Sequence, residues 1–350
     1  MKTQVKISLV LSLVVAVCMQ LTAQGTKYGG SFLELSVGAR SMAMGDAYAS
    51  VANDGSAFYW NPAGAANILR TDVSGMYASL FKSLVNHYHL GVTKPVYGQG
   101  SVSLNWVNVS VDDIPRYWSD LLNDPTSSYD RRVAESTGGG NWEQNVLADS
   151  ASGFSNSSED AFIITLAKQN KIDIDFGWQY FVMPITIPIG LNVKLLRQSL
   201  FSQKSSGIGF DLGTMLRFGL DDLFDDNRLG KVALGVTVKD IWNTKLTWDT
   251  DSRHFDRIKR SWLVGGSYHQ PFSRLNGELL LAYTLKRTDR TTNHIGLEYL
   301  YYNRLATRFG LTNKKFTAGV GFRVSLFQFD YAFRSHDLGG SHRINTSITL

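Results

Sequence analysis

A pair of histidines is the first group of residues whose spacing could support chemistry. His87 and His89 lie two positions apart, so in a β-strand both side chains would face the same side. Two imidazoles in that arrangement could bind a metal ion, but such a site needs a third ligand, and none is evident near them in the sequence. A solvent-facing or interface pair is the simpler interpretation, and we predict no metal site.

Other candidate catalytic and ligand-binding residues are sparse. His336 and His342 flank Ser341 in a predicted loop, and such a Ser–His pair could serve a lipid hydrolase. Four aspartates between positions 221 and 226 lack the spacing and the central glycine of a calcium loop, so they indicate a solvated turn. No zinc-protease, nucleophile-elbow or phosphate-loop motif occurs. We therefore predict a protein that is not an enzyme and has no cofactor.

Charged residues recur on the polar faces of the predicted strands. Both signs are present, at Lys194, Asp211, Arg217, Lys239, Glu278, Lys286, Glu298, Arg323, Asp330, Arg334 and Arg343. On a barrel these residues would face the lumen, where they could pair with one another or with an internal plug. The predicted contacts between plug and lumen involve Arg40, Asp46, Asp54, Asp211, Arg323, Asp330 and Arg334. A solvated or self-paired lining is the simpler alternative, and a charged lumen argues modestly against a dedicated lipid transporter, which needs an apolar pocket.

The segments that carry these charges alternate between apolar and polar residues. From Phe327 to Arg334, four aromatic residues alternate with polar or small ones, and similar alternation occurs at 316–324 and 343–350. A period of two with aromatics on one face is typical of a tilted membrane strand. Comparable segments lie at roughly 71–81, 86–96, 99–109, 159–168, 186–199, 206–219, 230–240, 258–270, 274–287, 292–301 and 304–311. The predicted fold is therefore all-β: a transmembrane antiparallel barrel of about 14 strands.

The lengths of the connections support this prediction. The longest follow the third and seventh strands, at 110–158 and 241–257, and would lie at the same, extracellular end. Residues 170–185 are too long for a turn, and either extend a strand or form an extra hairpin. The loop at 110–158 contains several Trp and Tyr residues, which could form a protein-binding surface or a lid over the barrel.

Composition and charge are compatible with such a barrel. The mean hydropathy is −0.12, since only every second residue of a membrane strand is apolar. The net charge of +5 is spread along the chain, so nucleic acid is not expected as a partner. Residues 1–23 have a positive start, an apolar core and a plausible cleavage site after Ala23, which predicts a cleaved signal peptide. Its removal would also remove Cys18, the only cysteine.

The segment from Phe32 to Asn67 is rich in Ala, Gly and Ser and matches neither a regular helix nor a strand. Small residues allow backbone to pack closely against a wall, so we predict that residues 24–70 form a plug inside a barrel of residues 71–350. Its most specific motif is Asn61-Pro62-Ala63-Gly64, which we expect to fix the plug where it meets the first strand. A simple turn is the alternative interpretation of this motif.

This segment resembles the N-terminal signature of the PorV/PorQ family. The similarity rests on Gly38-Ala39-Arg40, on residues 44–48, on Asn53-Asp54 and on residues 59–64, with later landmarks at 209–213, 242–243 and 330–344. The family consists of outer-membrane barrels associated with type IX secretion and related to the FadL fatty-acid transporters, whose hatch carries a similar Asn-Pro-Ala.

The resemblance implies an outer-membrane protein of a diderm bacterium that helps type IX secretion. It would be embedded in outer-membrane lipid and would bind or hold secreted cargo or translocon components. The alternative is a FadL-like passive transporter of hydrophobic small molecules. A continuous apolar tunnel would favour transport, whereas charge pairs that close the lumen would favour the secretion role.

Overall fold

The structure is a computed structural model that describes residues 30–81, 83–116, 153–175, 182–251, 254–335 and 339–350. The predicted signal peptide at 1–23, most of the predicted loop at 110–158, and His336 lie outside the described residues. The signal peptide and the role of that loop therefore remain predictions.

Most of the described chain forms antiparallel strands. They are β1 (Asp72–Leu80), β2 (Val85–Val96), β3 (Gly100–Arg116), β4 (Gly153–Asp175), β5 (Val182–Leu200), β6 (Gln203–Gly219), β7 (Lys231–Lys239), β8 (Lys245–Trp248), β9 (Phe255–Arg257), β10 (Ser261–Phe272), β11 (Gly277–Arg287), β12 (Thr291–Tyr301), β13 (Leu305–Thr312), β14 (Lys315–Val324), β15 (Phe327–Arg334) and β16 (Ser341–Thr349). The short β8 and β9 form a hairpin beside β6. The other fourteen pair with their neighbours in sequence order, and β1 pairs with β16. The predicted 14-strand barrel is confirmed.

Helical segments are few and short in the described part of the chain. They are α1 (Ala39–Ala43), α2 (Ala57–Trp60), α3 (Leu220–Phe224) and the 3₁₀ turns Ser31–Glu34, Pro62–Asn67 and Ser273–Leu275. None of these described helices is long and apolar enough to cross a membrane.

Side chains alternate between the two faces of the barrel wall. On β15, Phe327, Phe329 and Tyr331 are 40–48% exposed on the outside, whereas Asp330 and Ala332 are buried inside. The same alternation runs through β1 and β4, so the outer surface of the barrel is apolar. A closed barrel with an apolar outer surface satisfies every strand hydrogen bond while it faces lipid.

The connections differ in length between the two ends of the barrel. Residues 117–152 and 240–260 connect strands at one end, which we call the loop end. At the opposite end, which we call the turn end, residues 97–99, 302–304 and 325–326 make short connections. β1 begins at the turn end. This distribution is the asymmetry predicted from the sequence.

The strands also differ in length. β4 has 23 residues, whereas β13 and β15 have 8 each. The ambiguous region around 170–185 extends β4 and β5, which remain paired as far as Asp175 and Val182. No extra barrel strand is present there among the described residues.

Residues 30–71 lie inside the barrel, and we call this segment the hatch. Tyr48, Phe58 and Trp60 are at most 3% exposed, and the main apolar cluster lies between the hatch and the inner wall. α1 packs on β13–β16, while the turn Pro62–Asn67 packs on β3–β6. The hydrophobic core of this protein therefore lies between the hatch and the inner wall of the barrel.

The apolar outer surface leads to a stability prediction. We expect Phe329→Arg to lower the free energy of unfolding by about 2–4 kcal/mol, because it places a charge among lipid chains near the middle of a strand. Urea unfolding in lipid bilayers would measure this loss. Tyr302→Arg, in a turn between β12 and β13 where the tyrosine is 56% exposed, is the control and should cost at most about 1 kcal/mol. Equal losses in both variants would contradict a lipid-facing β15.

Candidate functional site

Six strand glycines allow the hatch to touch the barrel wall. These glycines, which we call the glycine belt, are Gly190, Gly213, Gly235, Gly296, Gly310 and Gly319. A Cβ atom at Gly235 would lie 2.2 Å from the carbonyl oxygen of Ala49, and one at Gly310 would lie 2.2 Å from the amide nitrogen of Gly45. Both distances are far below van der Waals contact, so the hatch backbone occupies the space that a side chain would need.

The glycine belt follows the register of the sheet. Gly190 is directly opposite Gly213 across β5 and β6, and Gly296 is opposite Gly310 across β12 and β13. The contact of these glycines with the hatch was not predicted from the sequence, although Gly213 ends the landmark at 209–213 and each glycine occupies an inward position in an alternating strand.

The Asn-Pro-Ala-Gly motif occupies one part of this contact. The Asn61 side chain is fully buried, accepts a hydrogen bond from the Ala63 amide at 3.1 Å, and donates to the carbonyls of Ala49 at 2.8 Å and Thr214 at 3.1 Å. Asn61 therefore caps the 3₁₀ turn and connects two parts of the hatch to β6.

Pro62, Ala63 and Gly64 complete the fit of this motif. Pro62 and Ala63 lie against Gly190 of β5, and Gly64 lies against the backbone of Ala52 within the hatch. The expectation that the motif fixes the plug at the first strand is wrong in position, because its contacts are to β5 and β6.

Ion pairs bind the other side of the hatch to the wall. Arg40 donates to Glu298 of β12 from Nε at 2.8 Å and from Nη2 at 2.7 Å. Arg308 of β13 also donates to Glu298, and it forms a second ion pair with Asp330 of β15 at 2.6 Å. The side chains of Glu298, Arg308 and Asp330 are each at most 6% exposed. Alternating charges compensate one another here, as burial of ions requires.

Two of the predicted plug residues, Arg40 and Asp46, form ion pairs with the wall. Asp46 accepts from Arg334 of β15 at 2.6 Å. Asp54 instead pairs within the hatch, where it accepts from the Tyr48 hydroxyl and from the Ser56 amide.

The remaining predicted contacts are made within the wall. Asp211 pairs with Lys194 at 2.7 Å, and Asp330 pairs with Arg308. Arg323 lies near the turn end, where its hydrogen bonds in the described structure go to Gln328 and Asn303. Arg308 was not singled out from the sequence, although it occupies an inward position between Ala306 and Gly310 on β13.

Aromatic residues of the hatch form its centre. Tyr48 and Tyr59 each pack edge-on against Trp60, whose indole nitrogen donates to the Val37 carbonyl at 2.9 Å. The Tyr59 hydroxyl donates to the Leu33 carbonyl at 2.8 Å. Burial raises the pKa of Tyr48 and of Tyr59, so both phenols stay neutral.

A cavity of about 260 Å³ lies between the hatch and the loop end of the barrel. Its apolar lining comes from Leu33, Phe58 and Tyr59 of the hatch, with Ile163 of β4 and Ile258 beyond β9. We call this cavity the loop-end pocket.

Charged residues of both signs form much of the polar lining of the loop-end pocket. Lys194 is neutralised by Asp211 and by Asp240, at 2.7 and 2.6 Å. Lys239 and Lys286 also line the pocket, and neither forms an ion pair with any described residue. The Lys239 amine lies 3.4 Å from the centre of the Tyr59 ring, so a cation–π contact holds it. The pocket thus combines an apolar surface with two lysines that form no ion pair with a described residue, and its lining also includes Glu34 and Arg257.

The histidine pair has no third metal-ligating side chain beside it among the described residues. His87 and His89 are buried on the inner face of β2, so the expectation of a solvent-facing pair is wrong, whereas the interface alternative agrees with their position. His89 stacks on Phe58 with the ring centres 5.0 Å apart and contacts Asn105 at 3.1 Å. No cluster of three metal-ligating side chains occurs among the described residues.

The other candidate residues form no active site in the described chain. His342 contacts the Tyr331 hydroxyl at 2.7 Å on the outer surface. Asp226 accepts hydrogen bonds from Arg228 in the turn after α3, and those bonds lower the pKa of this exposed carboxyl to about 2.

A closed 14-strand barrel with an apolar outside and a polar inside is the architecture of bacterial outer-membrane proteins. The chain is an outer-membrane β-barrel. No protein-family profile matches its sequence, and no curated protein sequence matches it either.

Several solved outer-membrane barrels are similar to this chain in structure. The Ralstonia pickettii toluene transporter TbuX and a Pseudomonas aeruginosa FadL homologue each give a TM-score of 0.42 at 9% identity, covering 89% of this chain and 97% of theirs. The Acinetobacter baumannii protein Omp33 gives a TM-score of 0.42 at 7% identity, covering 80% of this chain and 98% of its own.

The glycine belt predicts a sharp difference between neighbouring glycines. We expect Gly235→Ala to destabilise the protein by about 1–3 kcal/mol, because the new methyl group collides with the Ala49 carbonyl. Gly266→Ala is the control, since a Cβ atom there meets its nearest neighbour at 3.5 Å. Unfolding in urea and protease sensitivity of the hatch would be measured. Equal behaviour of the two variants would contradict the belt.

The buried ion pairs predict a second contrast. Arg308→Met should cost about 3–5 kcal/mol of folding free energy, because it leaves Asp330 without its cation and removes one of the two cations at Glu298. Arg323→Met removes an exposed arginine and should cost less than about 1 kcal/mol. The same unfolding assay compares them, and a cost below about 1 kcal/mol for Arg308→Met would show that the network contributes little.

Proposed function

We propose that this barrel is a FadL-like passive transporter of small hydrophobic molecules, with the hatch as its gate. The loop-end pocket is the observation that carries this proposal. A cavity of about 150 Å³ is enough to bind benzene, so one of about 260 Å³ accommodates a larger apolar body.

The chemistry of the pocket narrows the substrate class. Leu33, Phe58 and Ile258 supply apolar contact, and Lys239 and Lys286 supply positive charge that no described carboxylate pairs. A hydrophobic molecule with an anionic group would satisfy both parts, because its charge would be paired as it leaves water.

A role in type IX secretion is our second proposal, and a specific observation favours it. The buried pairs Arg40–Glu298 and Arg334–Asp46 join the hatch to the wall and help to close the lumen. A permanently closed barrel would act as an anchor that holds secreted cargo or translocon components beside the membrane. In either role we propose a non-enzymatic protein that has outer-membrane lipid around it and no nucleic-acid partner.

One experiment separates the two proposals. A deletion strain would be assayed for uptake of radiolabelled decanoate, an anionic apolar probe, and for release of secreted proteins into the medium. Lost uptake with normal release is expected. Normal uptake with lost release would overturn the transport proposal and support the secretion role.

The pocket lysines provide the residue-level test. We expect Lys239→Met combined with Lys286→Met to lower decanoate uptake about tenfold, which corresponds to about 1.4 kcal/mol of lost binding. Lys231→Met, at the exposed turn end of β7, is the control and should leave uptake unchanged. Unchanged uptake in the double variant would show that the probe does not use this pocket.

A further inference from the structure

A row of buried polar side chains crosses the inner wall. Each residue is directly opposite the next in the sheet, and we call this set the polar row: Asp72, Thr93, Ser103, Thr165, Asn192 and Asp211. All six are at most 8% exposed. Hydrogen bonds of 2.8 Å join Thr93 to Ser103 and Thr165 to Asn192, and one of 2.9 Å joins Asn192 to Asp211.

The polar row leads from one end of the barrel to the pocket. Asp72 is the first residue of β1, at the turn end. Asp211 lines the loop-end pocket and holds Lys194 there. Because barrel strands are tilted, one row of facing residues climbs along the wall as it passes from strand to strand. The row therefore connects the pocket with the turn end.

The wall beside the start of this row has polar atoms without partners. Asp72 Oδ1, Ser74 Oγ, Ser101 Oγ, His89 Nδ1 and both ring nitrogens of His87 are buried without a hydrogen bond in the described structure. They make up six of the twelve such side-chain atoms, and all lie on β1–β3. A buried polar group without a hydrogen bond destabilises the structure, and contact with water removes that cost.

The opposite wall holds the hatch by satisfied contacts. Thr317 of β14 donates to the Ala43 carbonyl at 3.0 Å, and Thr312 of β13 donates to the Gly45 carbonyl. The glycine belt and the ion pairs of Arg40 and Asp46 lie on strands β5–β7 and β12–β15. On β1–β3 the described structure has neither a belt glycine nor an ion pair to the hatch, although the Gly38 amide donates to Met76 Sδ at 3.1 Å and Phe58 stacks on His89.

We propose that the path past the hatch opens between the hatch and strands β1–β3, and that the polar row binds the charged or polar group of the passing molecule. This inference rests on the transport function proposed above. Separation on this side hydrates the unpaired atoms, whereas separation on the opposite side breaks ion pairs and backbone contacts. The hydroxyl and amide groups of the row hydrogen-bond one another in the described structure, and they exchange these bonds for bonds to the passing group.

Disulfide tethers test which side opens. A Cβ atom on Gly55 would lie 2.7 Å from that of Ser74 on β1, and one on Gly265 of β10 would lie 3.2 Å from that of Ala49. Both pairs join hatch to wall at distances that small shifts convert to disulfide geometry. The only native cysteine, Cys18, lies in the predicted signal peptide.

The oxidised Gly55→Cys, Ser74→Cys variant should lose decanoate uptake at least about tenfold and regain it on reduction. The oxidised Ala49→Cys, Gly265→Cys variant is the matched control and should stay within about twofold of its reduced form. Uptake that survives the first tether, or that is blocked only by the second, would overturn the proposal.

A second measurement is independent of transport. The single variants Ser74→Cys and Thr317→Cys place a thiol at buried lumen positions on the two walls. A water-soluble methanethiosulfonate reagent should label Ser74→Cys at least about tenfold faster. If the wild type fails to take up decanoate, the transport proposal is wrong, and the labelling rates alone then show whether the hatch separates from β1–β3. Equal rates, or faster labelling at position 317, would overturn it.

Discussion

The structure depends on the close approach of the hatch backbone to the inner wall. At the glycine belt the hatch lies where side chains would otherwise fill the lumen, and the contacts reach strands on several sides of the barrel. A barrel of this size needs interior packing, and here the first forty described residues provide it. Folding of the wall and seating of the hatch are therefore coupled, because each buries the surface of the other.

The placement of charges follows from the same filling of the lumen by the hatch. The lumen excludes water around Glu298, Arg308 and Asp330, so each charge needs a partner at hydrogen-bond distance. At the loop-end pocket the compensation is only partial. Lys194 is paired with Asp211 and Asp240, whereas Lys239 lies on the Tyr59 ring instead of beside a carboxylate.

Much of the fold was predictable because the two faces of a membrane strand differ in polarity, so its sequence alternates between apolar and polar residues. The alternation from Phe327 to Arg334 indicated a strand and its lipid-facing side, and the strand count followed from similar segments. The contacts of the hatch were harder to predict. Arg40 and Asp46 pair with the wall, but Asp54 accepts a hydrogen bond from Tyr48 within the hatch. This difference could not be predicted because a linear sequence does not show how strand tilt rotates residues around the lumen. The contacts of the belt glycines could not be predicted because a glycine has no side chain whose polarity would indicate what it faces.

The unequal strands have a consequence for how the barrel sits in a bilayer. Beyond Lys168 the pairing of β4 with β3 stops, and the remaining seven residues of β4 are paired with β5 alone. At about 3.3 Å per residue they project about 23 Å past the shorter neighbour. On the side away from β5, residues 170–174 have no strand partner among the described residues, and hydrocarbon does not tolerate backbone donors and acceptors without hydrogen bonds. This extension of β4 must therefore lie in water, and it limits how deeply this side of the barrel can insert into the bilayer.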